Sequence, residues 1–174
     1  MNLFETIKAR QSVRAYEAKP IEPAKLEAIL GAANQAPSAG NVQAYQICVV
    51  RDAKLKRALA KAALDQGFIA QAPVVLVFCA DARRAAAHYR SRGEQLYCVQ
   101  DATIAAAYAQ LAATALGLAT CWVGAFDEQE ARRIIGVPST HRPVAIIPVG
   151  SPAETPERTP RRALGELVRE CGPV

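Results

Sequence analysis

The nine residues from Ala72 to Ala80 (Ala-Pro-Val-Val-Leu-Val-Phe-Cys-Ala) form the longest unbroken apolar run in the chain. The run is far too short to cross a bilayer, which takes about 20 apolar residues as a helix. Its valines favour extended backbone, because a branched Cβ is stiff in a helix and packs well on a pleated surface. The run therefore predicts a strand buried on both faces. Aromatic residues make up only 6% of the 174, so the cover for such a strand has to come from small and aliphatic side chains. Alanine alone accounts for 36 residues, which favours helix and lets helices approach closely.

Periodicity and punctuation divide the rest. Asn2 can cap a short helix that ends near Arg10, and residues 11–22 read as an extended connector. Pro23 opens a second helix with Leu26, Ile29, Leu30 and Ala33 on its buried stripe, ending before Pro37. Tyr45 to Val50 reads as a strand. Asp52 caps a helix to about Asp65, and Asp81 starts another over 82–91. Residues 100–117 form the longest helix candidate, apolar most of the way round, which means burial on more than one side. Gly117 closes it. A strand over 118–124 follows, then a helix over 128–135 between Asp127 and Gly136. A last core strand runs from Val144 to Val149, with Pro143 at its start. Residues 1–150 thus read as one domain. From Ser151 the chain carries three prolines and only three large apolar residues before Cys171. This stretch reads either as a frayed tail or as an arm packed on another subunit.

Twenty-one basic and 16 acidic residues give a net charge of +5. The basic residues are interleaved with acids except at Arg158, Arg161 and Arg162, a distribution that argues against nucleic acid as partner. Five cysteines, with no C-x-x-C pair, are the usage of a reducing compartment, and the chain is expected to be cytoplasmic and without a membrane partner.

Three stretches carry chemistry. In Arg10-Gln11-Ser12-Val13-Arg14, alternation in an extended segment sends Arg10, Ser12 and Arg14 to one side, where two guanidinium forks and a hydroxyl suit a phosphate or a polar ring edge. The same residues also fit a solvated basic turn. In Ala36-Pro37-Ser38-Ala39-Gly40-Asn41-Val42-Gln43, small residues allow close backbone approach and amides can read donors and acceptors. An ordinary helix-to-strand loop would look the same. In the stretch from Gly117 to Asp127, an apolar segment ends at Trp122-Val123-Gly124-Ala125 before a helix start, so backbone N–H groups are available to a planar ligand. Trp122 and Cys121 also fit as core residues.

Other chemistries are missing. The sequence has no G-x-G-x-x-G, P-loop or G-x-S-x-G, and its two histidines, His88 and His141, are too far apart for a His-rich metal site. Pocket-forming loops without an evident acid, base or nucleophile point to a cofactor.

Taken in order, the R-x-S-x-R segment, the A-P-S-x-G-N-x-Q loop, the strand at 72–78, GLATCWVGAFD, GVPSTHRPVAIIPVG and RTPRRALGELV resemble the nitroreductase family of FMN-dependent oxidoreductases, from Phe4 to about Leu167. The resemblance implies an α+β sandwich with a mostly antiparallel sheet. It implies an intertwined homodimer with non-covalent FMN at the subunit interface and an arm, 151–174, packed on the partner. Arg10 and Ser12 match positions that hold the FMN phosphate, and Arg14 matches a basic position near the pyrimidine edge. Pro37, Ser38, Ala39 and Asn41 match a loop donated by the other subunit. Trp122, Val123, Gly124 and Ala125 match the segment against the ring, with the Gly124 N–H directed at N5. Arg162 and Arg161 match the C-terminal phosphate contact. The implied reaction passes hydride from NAD(P)H through the flavin to a nitroaromatic, quinone or similar small acceptor by a ping-pong mechanism. A flavin-fragmenting or dehalogenating enzyme of the same fold, or a flavin-binding protein without turnover, are the alternatives. The chain departs from the family pattern at Gln43-Ala44-Tyr45, at Gly124 and near Phe68, positions that bear on substrate access.

Overall fold

The computed structural model describes residues 1–172. At its centre, β2 (Val74–Asp81) pairs antiparallel with β1 (Tyr45–Val50) on one side and with β4 (His141–Gly150) on the other. β3 (Ala119–Thr120) adds to β4, so the sheet order is β1-β2-β4-β3 and every ladder is antiparallel. The alternation of β2 sorts its residues onto two cores. Val74, Leu76 and Phe78 pack with α2 (Pro23–Asn34) and α6 (Cys98–Ala115). Val75, Val77 and Cys79 pack with α3 (Ala53–Ala62), α4 (Phe68–Gln71) and α7 (Glu128–Ile135). The result is the expected α+β sandwich, with helices on both faces of the sheet.

Short-range signals set most boundaries. α1 (Leu3–Ala9) begins with a reciprocal capping box between Asn2 and Glu5. Asp52, Asp81 and Asp127 each accept backbone N–H groups at the starts of α3, α5 (Ala82–Arg92) and α7. α6 ends in a Schellman arrangement. The Gly117 N–H donates to Thr114 O (3.0 Å) and the Leu118 N–H to Ala113 O (2.9 Å), with Gly117 at φ +74°. Ala105, Ala106, Ala109 and Ala113 put a side of α6 with little bulk against α2 and the sheet. Its other side leaves Tyr108 39% exposed.

Several expectations change. The strand over 118–124 is ordered as ladder only at Ala119–Thr120, with an isolated bridge between Val123 and Ile146. The intervening Cys121 and Trp122 lie opposite Ile147 and Pro148, and proline offers no N–H to a neighbour. The last strand starts earlier, at His141, and Pro143 sits inside it at the register shift beside Phe78 and Cys79. The helix after Asp52 stops at Ala62, with Leu64 and Asp65 at positive φ. α5 kinks at Arg90 (φ +50°) and leads into a π turn, Gly93–Tyr97, whose Gly93 lies against the Ala85 carbonyl. Two short helices, α4 and α8 (Leu164–Leu167), were not expected. Described residues beyond Pro156 are all exposed, including Leu164 (76%) and Leu167 (58%), and the last two residues of the expected arm lie outside the described residues. Among the described residues, no helix is long and apolar enough to cross a membrane.

The close approach at α6 generates a first prediction. Ala109 is 1% exposed in the core shared with α2. Ala109→Leu forces three extra carbons into close-packed space and is expected to cost about 1–3 kcal/mol. A lower urea midpoint with an unchanged m-value is the expected readout.

Candidate flavin site

Residues 10–16 dock on the free edge of β3. Ser12 bridges Thr120 in parallel, and the Val13 N–H donates to Thr120 O at 3.0 Å. Val13 and Tyr16 turn inward and are buried. The Tyr16 hydroxyl donates to Val13 O at 2.7 Å and lies 3.4 Å from Pro148 O, and burial pushes its ionisation well above the ordinary tyrosine range. Thr120 is itself held by Gln110 Nε2 from α6 at 3.0 Å. With this pinning, Arg10, Ser12 and Arg14 emerge on one side, together with Gln11, which strict alternation would send the other way.

They line one cleft of about 570 Å³ with Lys8, Gln11, and Pro156 to Thr159 and Arg161 of the C-terminal stretch. With its amide oriented by its neighbours, Gln11 donates to Pro156 O (3.0 Å) and accepts from Arg158 Nε (3.2 Å), tying the two segments together. Five cations and one carboxylate, Glu157, line the cleft. Arg10, Arg14 and Arg161 form no salt bridge among the described residues. The Arg14 backbone N–H donates to Glu154 Oε1. Arg162 does not line the cleft; its Nε pairs with Glu166 Oε2 at 3.0 Å.

The Trp122–Ala125 segment continues along the same edge. Val123 exchanges both backbone hydrogen bonds with Ile146 at 3.0 Å. Backbone N–H groups alternate sides along an extended segment, so the Gly124 N–H points away from the sheet. It has no partner among the described residues, and Gly124 and Ala125 are exposed. Trp122 is half-buried against the α2/α6 core, and Cys121 is buried beside Ser12. Burial pushes the Cys121 thiol up, with Arg14 and Ser12 acting in the opposite sense. Cys121 is thus placed as a core thiol, packed with Val123 and Ile146.

The Pro37–Asn41 loop lies elsewhere. It leads into β1, at the sheet edge opposite β3, about 14 Å away at the usual strand spacing. Pro37, Ser38 and Ala39 line a separate cleft of about 510 Å³ with Tyr97, Gln100, Asp101 and Ile104. The structure therefore brings the first and third motifs together within one chain and leaves the second apart. It also introduces a residue the sequence reading passed over. Asp101, 2% exposed, accepts from the Ala39 N–H (3.0 Å) and the Ala44 N–H (3.2 Å). A lone acid within the alanine-rich, apolar stretch 98–115 was the available signal.

The donor set fits FMN. Unpaired guanidiniums and the Ser12 hydroxyl suit a phosphate dianion, and an unpartnered backbone N–H beside a half-buried indole suits the polar edge of a planar ring.

The chain is also similar to known proteins along most of its length. A model of the nitroreductase family matches residues 7–67 and 62–151. An NADH dehydrogenase of Thermus thermophilus is 36% identical over 172 residues, spanning 83% of this chain and 84% of its own. An FMN reductase [NAD(P)H] of Bacillus subtilis is 30% identical, spanning 91% and 69%. The structure of an NADPH:FMN oxidoreductase from Vibrio harveyi complexed with NAD+ superposes with a TM-score of 0.90 at 28% identity, covering 98% of this chain and 77% of that one. Matched over most of its length in sequence and in fold, the chain belongs to the nitroreductase family.

Proposed function

We propose that this chain is a cytoplasmic FMN-dependent NAD(P)H oxidoreductase that works as a homodimer, each site being assembled from both subunits. The observation that carries the reading is the β3-edge cleft, where Arg10, Ser12, Arg14 and Arg161 converge and the three arginines form no salt bridge among the described residues. The names borne by the relatives, FMN reductase and NADPH-flavin oxidoreductase among them, support it.

Arg10, Ser12 and Arg161 hold the phosphate, and Arg162 joins them when the arm exchanges Glu166 for the cofactor. Trp122, Val123, Gly124 and Ala125 present an apolar and N–H-bearing wall to the ring. Arg14 lies beside its pyrimidine edge, where a cation favours the added negative charge of the reduced form. FMN, when bound, supplies the hydride chemistry that no side chain here can perform. NAD(P)H and a nitroaromatic, quinone or similar conjugated acceptor occupy the same face in turn, a ping-pong order.

The opposite placement of the Pro37–Asn41 loop supports a shared site. A loop that stands across the sheet from its own chain's cleft is available to the cleft of a partner. Exposed apolar side chains support the same assembly: Leu3 (62%), Phe4 (81%) and Ile7 (51%) on α1, and Leu164 and Leu167 on the arm. In this reading residues 1–150 are the FMN-binding domain and 151–174 the arm that packs on the partner.

The purified protein is expected to be a yellow dimer with one non-covalent FMN per chain. Stripping the FMN should abolish NAD(P)H oxidation and adding it back should restore it. A colourless monomer that takes up no FMN would refute the assignment. Arg10→Ala is expected to weaken FMN binding by about 1.5–3 kcal/mol, and Ser12→Ala by about 0.5–1.5 kcal/mol. Fluorescence titration checks both, and the Arg10 effect should shrink as salt rises. Arg14→Gln should retain FMN but lower its midpoint potential and slow reduction by NAD(P)H. An unchanged potential would remove Arg14 from the tuning role.

A further inference from the structure

The Ser38–Ala44 segment turns through left-handed backbone, which Gly40 and Asn41 tolerate and Gln43 does not favour by itself. Gly40, Asn41 and Gln43 all lie at positive φ, between +53° and +57°. Such backbone is uphill for residues with a Cβ, so neighbouring contacts must hold it. A Cβ at Gly40 would collide with the Tyr89 hydroxyl. Arg84 Nε donates to Val42 O at 2.6 Å, and the Gln43 N–H donates to Ser38 Oγ at 3.0 Å. From below, one carboxylate spans the whole segment, its Oδ1 accepting from Ala39 and its Oδ2 from Ala44. That carboxylate is Asp101, buried on the first turns of α6 with no cation paired to it among the described residues. An unpaired buried charge is costly, and two charge-assisted N–H bonds are what offsets the cost here.

We propose that Asp101 is a positioning residue for cofactor binding: it clamps the Ser38–Ala44 loop in the shape that one subunit presents to the FMN of its partner. The inference rests on the shared-site reading above. A clamp of this kind contributes to affinity by keeping a loop ordered before the ligand arrives.

The sign of the effect separates positioning from simple electrostatics. FMN carries a phosphate dianion, so removing a nearby carboxylate should tighten binding if only the field matters. Asp101→Asn keeps the shape but replaces one acceptor by an N–H₂ facing an N–H. If Asp101 clamps the loop, FMN affinity should fall about tenfold despite the lost negative charge. The fall should be equal at low and high salt, unlike that of Arg10→Ala. The apo protein's melting temperature guards against general destabilisation, and wild-type FMN binding in the same titration tests the flavin reading separately.

Should Asp101→Asn not fold, Ala39→Pro serves. It deletes one of the two N–H donors and leaves the carboxylate in place. Ser38 is already extended (φ −139°, ψ 159°), as a residue before proline must be. Ala39 opens a 3-10 turn, where proline is tolerated. A severalfold loss of FMN affinity in a folded Ala39→Pro protein is expected. Equal or tighter FMN binding by either folded variant would overturn the proposal.

Discussion

Everything in this molecule is hung on a strand with no solvent side. β2 sends alternate residues into two separate cores, so a helical layer is required on each face. Burying both faces removes more apolar area from water per residue than a half-exposed strand can. It also leaves polar side chains to the edges of the sheet. The alanine-rich α6 answers the same constraint, since small side chains bring a long helix close to the sheet without a gap.

The edges divide the labour. At the β3 edge, the Tyr16 and Val13 anchors dock a connector that would otherwise be a solvated turn, and the docked connector then displays Arg10, Ser12 and Arg14. Interruption of β3 opposite Pro148 lets the Trp122–Ala125 segment resume pairing only at Val123, which leaves the Gly124 N–H pointing outward. The irregularity thus limits the ladder at this edge to Ala119–Thr120 and the single bridge at Val123. At the β1 edge, a loop in left-handed conformations is held by side chains from α5 and α6.

Much of this was legible because it depends on neighbours in sequence. Asn2, Asp52, Asp81 and Asp127 cap helices through contacts two or three residues long, and Gly117 and Gly136 close helices by tolerating positive φ. The alternation of Arg10, Ser12 and Arg14 was likewise visible in the chain itself. The kink at Arg90, the π turn after it and the break in β3 were not. The π turn comes with Gly93 packed against the Ala85 carbonyl, a contact that periodicity does not announce, and the break in β3 falls where Cys121 and Trp122 face Ile147 and Pro148 from far along the chain. Asp101 was passed over because an acid in a helix reads as solvated charge until its two N–H partners, some 60 positions earlier in the chain, are brought to it.

The sequence by itself determined the two-sided strand, the longer helices and their aspartate and asparagine caps, and the three polar stretches, because each of these rests on side-chain period or on turn chemistry within a few residues. Only the tertiary structure decided which stretches share a site. The order of strands in the sheet puts the Arg10 segment and the Gly124 segment on one edge and the Ser38 loop on the other, and strand order is fixed by pairing and packing between distant residues. No local pattern encodes that order, since the same alternating strands could pair in several arrangements until the helical layers on both faces select one.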